Sequence, residues 1–371
     1  MGGYRFELAK DADDAELRRV LAATPMPGRI SVTFQREPSY FDAAVVDGTF
    51  RQTVSCREGE TDQIIGFGSR SVREMYVNGR ATPIGYLSML RVLREHRNIG
   101  LVARGYRYFR TLHGDGRTGL YLTTIAEGNE RAISMLTSAR AGLPMYHPAG
   151  VFHTVAIPIV KRSGGERADE ALDVRPATNA DLDALLDFLE RVGPDRQFFP
   201  KYRASDFFDS EGAFRDLRPS DLLLAFRNGR LAGTLGGWDQ HRFRQTVVEG
   251  YAGPLRWARP LHNCFARVRG RPELPEPGEA LRYMTAALPV VEANDRLVFA
   301  ALLDSLLARA VGSKCDYLLL GLHQTDAFLP SVIRRGTASY VTRLYHVCWE
   351  DGEALRTRLD GRPPYLELGC L

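Results

Sequence analysis

The chain has 371 residues, 44% hydrophobic and 25% charged, with 35 Gly and 20 Pro; this balance excludes disordered, collagen-like and disulfide-scaffold classes and leaves length for two domains. Its net charge of +4 arises within the first 160 residues, and with only four lysines among 49 basic residues the arginine richness reads as GC-rich coding, so no nucleic-acid partner is expected. Five scattered cysteines without a C-x-x-C pair suggest neither a disulfide framework nor a zinc site and fit a reducing cytoplasm; the start MGGYRFELAKDADD lacks the apolar core of a signal peptide, and the apolar run Leu297 to Val311 is broken by Asp304 and Arg309, so no membrane segment is expected.

In chain order, Phe6 to Leu21 reads as a short strand and a helix, with Asp11 as cap and Leu17, Val20 and Leu21 as the apolar stripe. Strands follow at Arg51 to Cys56 and Ile64 to Arg73, then a hairpin through Val77-Asn78-Gly79. Leu87 to Leu93 reads as a strand, Ile99 to Leu112 as a helix, Leu120 to Ala126 as a strand and Asn129 to Ala139 as a helix. The charged, glycine-containing run KRSGGERADEAL reads as a linker, which divides the chain into a first domain 1–161, a linker 162–172 and a second domain 173–371.

Val174 to Leu189 lies over the opening segment at an offset of 168, with Thr178 or Asn179 as cap and Leu182, Leu185, Leu186 and Leu189 as the stripe. Strands Leu222 to Phe226 and Leu231 to Gly237 are joined by Asn228-Gly229, and Gln240 to Glu279, rich in Pro and Arg, reads as a loop insertion. Thr285 to Val291, Asp295 to Val311, Tyr317 to Leu322 and Thr325 to Arg335 then repeat the strand, helix, strand, helix order of the first half. The expected fold class is α/β (α+β), built from a duplicated unit.

The stretch that carries chemistry is LRVLREHRNIGLVARG, Leu90 to Gly105: an apolar strand, a basic turn with a glycine, and a helix. Backbone N–H groups at a helix start are unpaired, the helix dipole favours negative charge, and a glycine admits a diphosphate close to the backbone. This segment resembles the central motif of the GNAT superfamily of acyl-CoA-dependent N-acyltransferases, a strand L-x-V-x-P-E-Y/H followed by R/Q-x-x-G-x-G/A. Leu90 and Val92 take the strand positions, Glu95-His96 the next two, and Arg97-Asn98-Ile99-Gly100-Leu101-Val102 the turn. Arg94 stands where the family often has Pro, and Val102 where it has a small residue. Asn129-Glu130-Arg131-Ala132 and Gly142-Leu143 resemble the family's N-x-x-A helix and its G-F corner.

The resemblance implies two tandem GNAT-like domains, each a mixed, mostly antiparallel sheet splayed between its fourth and fifth strands and flanked by helices. Pantetheine would bond the backbone of Leu90, Arg91 and Val92. The diphosphate would rest on the amides of Asn98, Ile99, Gly100, Leu101 and Val102, with the charge of Arg97 beside it, and Asn129 would contact the pantetheine arm or cap its own helix. The family's usual acid, a Tyr, is replaced by Leu136, and its usual base, a Glu, by Tyr86; Tyr86 and Ser88 share a strand face and either could relay a proton. Tyr146 and His147 are further candidates near the cleft mouth, and some two-domain relatives bring the terminal carboxylate, here that of Leu371, into the site.

In the second half no glycine stands in the turn Val291 to Arg296, and Glu292 and Asp295 would repel an anion, so it resembles a degenerate GNAT domain that shapes the substrate pocket or holds the first half, through Trp238, Trp257 and the insertion. The expectation is an enzyme using acetyl-CoA or another acyl-CoA to acylate a small-molecule or peptide amine, with no metal, acting as a monomer or homodimer. A non-catalytic CoA-binding sensor or scaffold and an aminoacyl-tRNA-dependent transferase are the alternatives. Arg36 to Phe41, REPSYF, reads as an acceptor wall or equally as packing.

Overall fold

The computed structural model describes residues 3–97, 99–139, 142–161 and 172–371; Asn98 and nearly all of the expected linker lie outside them. The first half runs β1 (Tyr4–Leu8), α1 (Asp14–Ala22), β2 (Ile30–Gln35), α2 (Tyr40–Ala43), β3 (Phe50–Glu58), β4 (Ile64–Val77), β5 (Arg80–Val92), α3 (Ile99–His113), β6 (Tyr121–Ala126), α4 (Glu130–Leu136) and β7 (Met145–Pro158). The second runs β8 (Leu172–Pro176), α5 (Leu182–Val192), β9 (Phe199–Pro200), β10 (Leu222–Arg227), β11 (Arg230–Trp238), β12 (Gln245–Tyr251), α6 (Leu255–Val268), β13 (Tyr283–Val291), α7 (Arg296–Ala310), β14 (Tyr317–His323), α8 (Leu329–Arg335), β15 (Ala338–Cys348) and α9 (Glu353–Arg356).

Local sequence accounts for most of these elements. Asn78 and Gly79 (φ 51° and 79°) and Asn228 and Gly229 (φ 52° and 75°) supply the left-handed pairs that turn β4 into β5 and β10 into β11. Leu17, Val20 and Leu21 of α1 and Leu185, Phe188 and Leu189 of α5 are buried, the faces that their spacing requires. The first helix is entered through Asp13 rather than Asp11: its carboxylate accepts from the Lys10 amide at 2.9 Å. At the second, Asp181 accepts from the amide and hydroxyl of Thr178.

Among the described residues, thirteen strands form one sheet in the order β1-β3-β4-β5-β6-β15-β7-β14-β13-β11-β10-β8, with β9 on β4. The two halves exchange their last strands. β15 pairs with β6, from Thr342 opposite Ala126 to Val347 opposite Tyr121, and β7 pairs with β14, from Pro158 opposite Tyr317 to Phe152 opposite His323. β15 and β7 also pair with each other at the centre. Each half therefore covers a strand edge that the other would leave bare.

The insertion 240–279 is not a loop. β12 alternates buried Thr246 and Val248 with more exposed neighbours and pairs antiparallel with β2. α6 follows despite Pro260, which removes one helical N–H. The proline and the arginines conceal a helix whose Trp257, Leu261, Phe265 and Val268 face solvent. Trp238 is fully buried in the second half's core, so of the two tryptophans it is the packing residue. Through β12 the insertion pairs with β2 of the first half.

Candidate active site

β5 and β6 are parallel neighbours at two positions only, Gly85 opposite Tyr121 and Tyr86 opposite Leu122, and then part. Gly85 is required there, since a Cβ would overlap the Tyr121 ring. Past the parting point β5 bulges: Met89 has φ 55° and the register with β4 shifts between Phe67 and Ser69. The Leu93 amide bonds Ile65 of β4 at 2.8 Å, so by alternation the Leu90 and Val92 carbonyls face the gap. Among the described residues no strand pairs with them; Arg91 Nη1 donates to the first at 3.2 Å and Arg97 Nε to the second at 3.0 Å.

A short 3-10 turn, Arg94–His96, leads from β5 towards α3. The first turn of α3 carries no acidic residue. Leu101 and Val102 are buried, Val102 in the cluster of Leu87, Tyr106 and Phe109, while Gly100 and Arg97 are exposed. The valine thus points into the core and leaves the outward position to Gly100. Of the six residues expected around the diphosphate, Asn98 is outside the described residues.

Tyr86 is buried at the parting point, and its hydroxyl lies 2.8 Å from Thr124 Oγ1 on β6. Burial pushes its phenol up to about 12, so at neutral pH Tyr86 holds its proton. Ser88 pairs with Ser69 and is half-buried, its hydroxyl without a hydrogen-bond partner among the described residues. Buried Tyr40, from the REPSYF segment, bonds Ser69 Oγ at 2.9 Å. Asn129 is exposed and caps α4, its Oδ1 accepting from the Ala132 amide at 3.2 Å. Tyr146 and His147 are committed elsewhere: Tyr146 Oη lies 2.5 Å from Tyr106 Oη in the cluster beneath α3, and His147 Nε2 lies 2.7 Å from Glu353 Oε1.

No protein-family profile matches the sequence, and no curated protein does. Solved structures do. N-myristoyltransferase of Saccharomyces cerevisiae with bound myristoyl-CoA superposes with a TM-score of 0.59 at 12% identity, over 93% of this chain and 79% of that one. A GCN5-related N-acetyltransferase from Sphaerobacter thermophilus gives 0.55 at 12% identity, over 99% and 98%. A probable N-acyltransferase from Enterococcus faecalis gives 0.51 at 10% identity, over 94% and 73%. The fold is that of the GNAT superfamily.

The second GNAT-like half repeats the frame with its gap closed. β13 and β14 are parallel from Tyr283 opposite Tyr317 to Thr285 opposite Leu319, then part, and Leu288 (φ 49°) bulges as Met89 does. Residues 365–371 fill the opening. Glu367 Oε2 accepts from the Leu288 amide of β13 at 3.1 Å and from Tyr365 Oη at 2.6 Å, and a Cβ on Gly321 of β14 would sit 3.0 Å from Leu368. At the start of α7, Asp295 Oδ1 accepts from the amides of Leu297 and Val298, and Glu292 is ion-paired with Arg191 and Arg230. The first amides of α7 are thus capped by a carboxylate of the chain itself.

Sequence reading missed a cluster of arginines on the face of the sheet that carries Tyr40. Arg36, 2% exposed, bonds Asp47 at 3.0 Å; Arg244 also pairs with Asp47 and donates to the backbone oxygens of Gly369 at 3.0 Å and Leu371 at 3.1 Å. This is where the expected end residue Leu371 lies. Arg91, named beforehand only for its backbone, sends its side chain to the same face, against Met26 Sδ at 3.7 Å.

Proposed function

We propose that this protein is an N-acyltransferase that takes its acyl group from acyl-CoA, acetyl-CoA in the first instance, held in the first half and passes it directly to a small-molecule or peptide amine. The carrying observation is the contrast between two equivalent gaps. One is filled by residues 365–371, with its helix start capped by Asp295. The other is crossed by no strand among the described residues, and is bordered by the carbonyls of Leu90 and Val92, which meet only the side chains of Arg91 and Arg97, and by a helix start free of acidic residues. That the neighbouring N-myristoyltransferase structure holds myristoyl-CoA supports the reading.

The residues present fit such a group. Leu90 and Val92 would accept hydrogen bonds from the pantetheine arm once Arg91 and Arg97 give up their contacts. The amides from Ile99 to Val102, beside Gly100, would receive the diphosphate. Bound there, the thioester supplies an activated acyl carbon. Tyr86, protonated and at the parting point, is the donor for charge that develops on oxygen or sulfur, and the free hydroxyl of Ser88 passes the acceptor's proton towards solvent.

Thiol release from acetyl-CoA with a broad amine panel tests this. Amine-dependent release is expected. Acetyl-CoA binding without turnover on any amine would favour a CoA-binding scaffold, and no acyl-CoA binding would shift the reading to the aminoacyl-tRNA-dependent alternative.

A further inference from the structure

The strand β5 separates two faces. Leu90 packs with Val102, Tyr106 and Phe109 under α3, and Arg91, one residue on, projects to the opposite face with Met26. On that face the guanidiniums of Arg91 and Arg244 both lie near that of Arg36, and two of the three share one carboxylate. Asp47 takes a nitrogen from Arg36 and one from Arg244. Among the described residues Arg91 has only neutral hydrogen-bond partners, the Leu90 carbonyl and the Met26 thioether. Among the described residues one buried nitrogen of each side chain has no partner: Arg36 Nη1, Arg91 Nε and Arg244 Nε. Arg36 stacks over the Tyr40 ring at 4.9 Å, which fixes its plane beside the Tyr40–Ser69 hydroxyl pair.

Arg91 is half-buried with its Nε enclosed, and an enclosed donor without an acceptor is costly, so these nitrogens are completed by a water, an ion or a ligand. Burial lowers the pKa of Arg91 and of Arg244, and repulsion from Arg36 lowers both further, so the three share one electrostatic neighbourhood. The phosphates of an acyl-CoA would lie at the start of α3, on the Leu90 side of the strand. The missing anion therefore belongs to the other reactant.

We propose that the acceptor amine carries an anionic group, a carboxylate or a phosphate, which Arg91 and Arg36 hold in front of the gap between β5 and β6. Asp47 is the negative group of the same neighbourhood and complements the acceptor's ammonium. The charge pattern suits a zwitterion better than a simple amine. This substrate class rests on the acyltransferase reading, but its binding is measured separately.

The test is calorimetric titration of matched pairs with and without CoA: an L-amino acid against its amide, and phosphoethanolamine against ethanolamine. The first pair reports a carboxylate and the second a phosphate. Wild type is expected to bind the anionic member of at least one pair ten-fold or more tightly, Arg91→Gln to reduce that ratio to about one, and Arg91→Lys to restore part of it. Equal binding within both pairs would overturn the proposal and show that water alone completes the arginines. So would an Arg91→Gln protein whose loss falls on CoA affinity instead. Anion preference without CoA binding would keep this site and sink the acyltransferase reading, while CoA binding without anion preference would do the reverse.

Discussion

The Tyr86 hydroxyl reaches Thr124 Oγ1 at 2.8 Å, across the point where β5 leaves β6 and two residues beyond Leu122, the last β6 residue in the ladder. A phenol so placed, with its pKa pushed up to about 12 by burial, keeps its proton through the range in which amines are free bases. Tyr86→Phe is expected to lower kcat by about 100-fold, the scale of a single positioned proton donor, with a much smaller change in acyl-CoA affinity. Wild-type kcat should show no falling limb from this group between pH 8 and 10.5. A limb near pH 9 to 10 that disappears in Tyr86→Phe would contradict the assignment.

Glu367, 3% exposed inside the filled gap of the second half, has its pKa raised to about 7, chiefly by burial. In the unfolded chain it ionises near 4.5. Folding therefore takes up a proton between these values, so the contribution is full below about pH 4.5 and is lost as pH rises through about 7. Glu367→Gln keeps the acceptor for Leu288 and Tyr365 without the charge. Denaturation midpoints from pH 4.5 to 8 should show the variant gaining on wild type as pH rises, by about 3 kcal/mol in all. Parallel curves would show that the carboxyl titrates normally.

The exchange of β7 and β15 predicts how the chain behaves when cut. With a protease site placed between Lys161 and Leu172, the nicked halves should co-elute as one species under native conditions and separate only in denaturant. Each half made alone would expose the edges that β15 and β7 cover and is expected to aggregate. Two folded, monomeric halves after cleavage would contradict the shared sheet.

What the sequence made legible was local. Asn-Gly turns, helices with apolar stripes, and the strand and helix on either side of the turn before Gly100 each depend on neighbours a few residues away; they stand close to where their patterns place them, the first cap moving from Asp11 to Asp13. Strand exchange is a choice of partner, and alternation along β7 or β15 is the same whichever half receives it. The arginine cluster joins positions 36, 91 and 244 through folding alone, and REPSYF, which holds Arg36 and Tyr40, reads as an acceptor wall or equally as packing. α6 was hidden because proline and arginine outweighed its apolar spacing.

The central claim is that the open gap of the first half holds acyl-CoA. Calorimetric titration of acetyl-CoA into wild type and Gly100→Glu tests it most directly, because Gly100 is exposed and its replacement adds bulk and negative charge at the helix start while the core is left alone. Saturable binding in wild type, weakened at least 100-fold in a variant of unchanged melting temperature, is the predicted result. Absence of binding to folded wild type, or equal binding by the two proteins, would contradict the account.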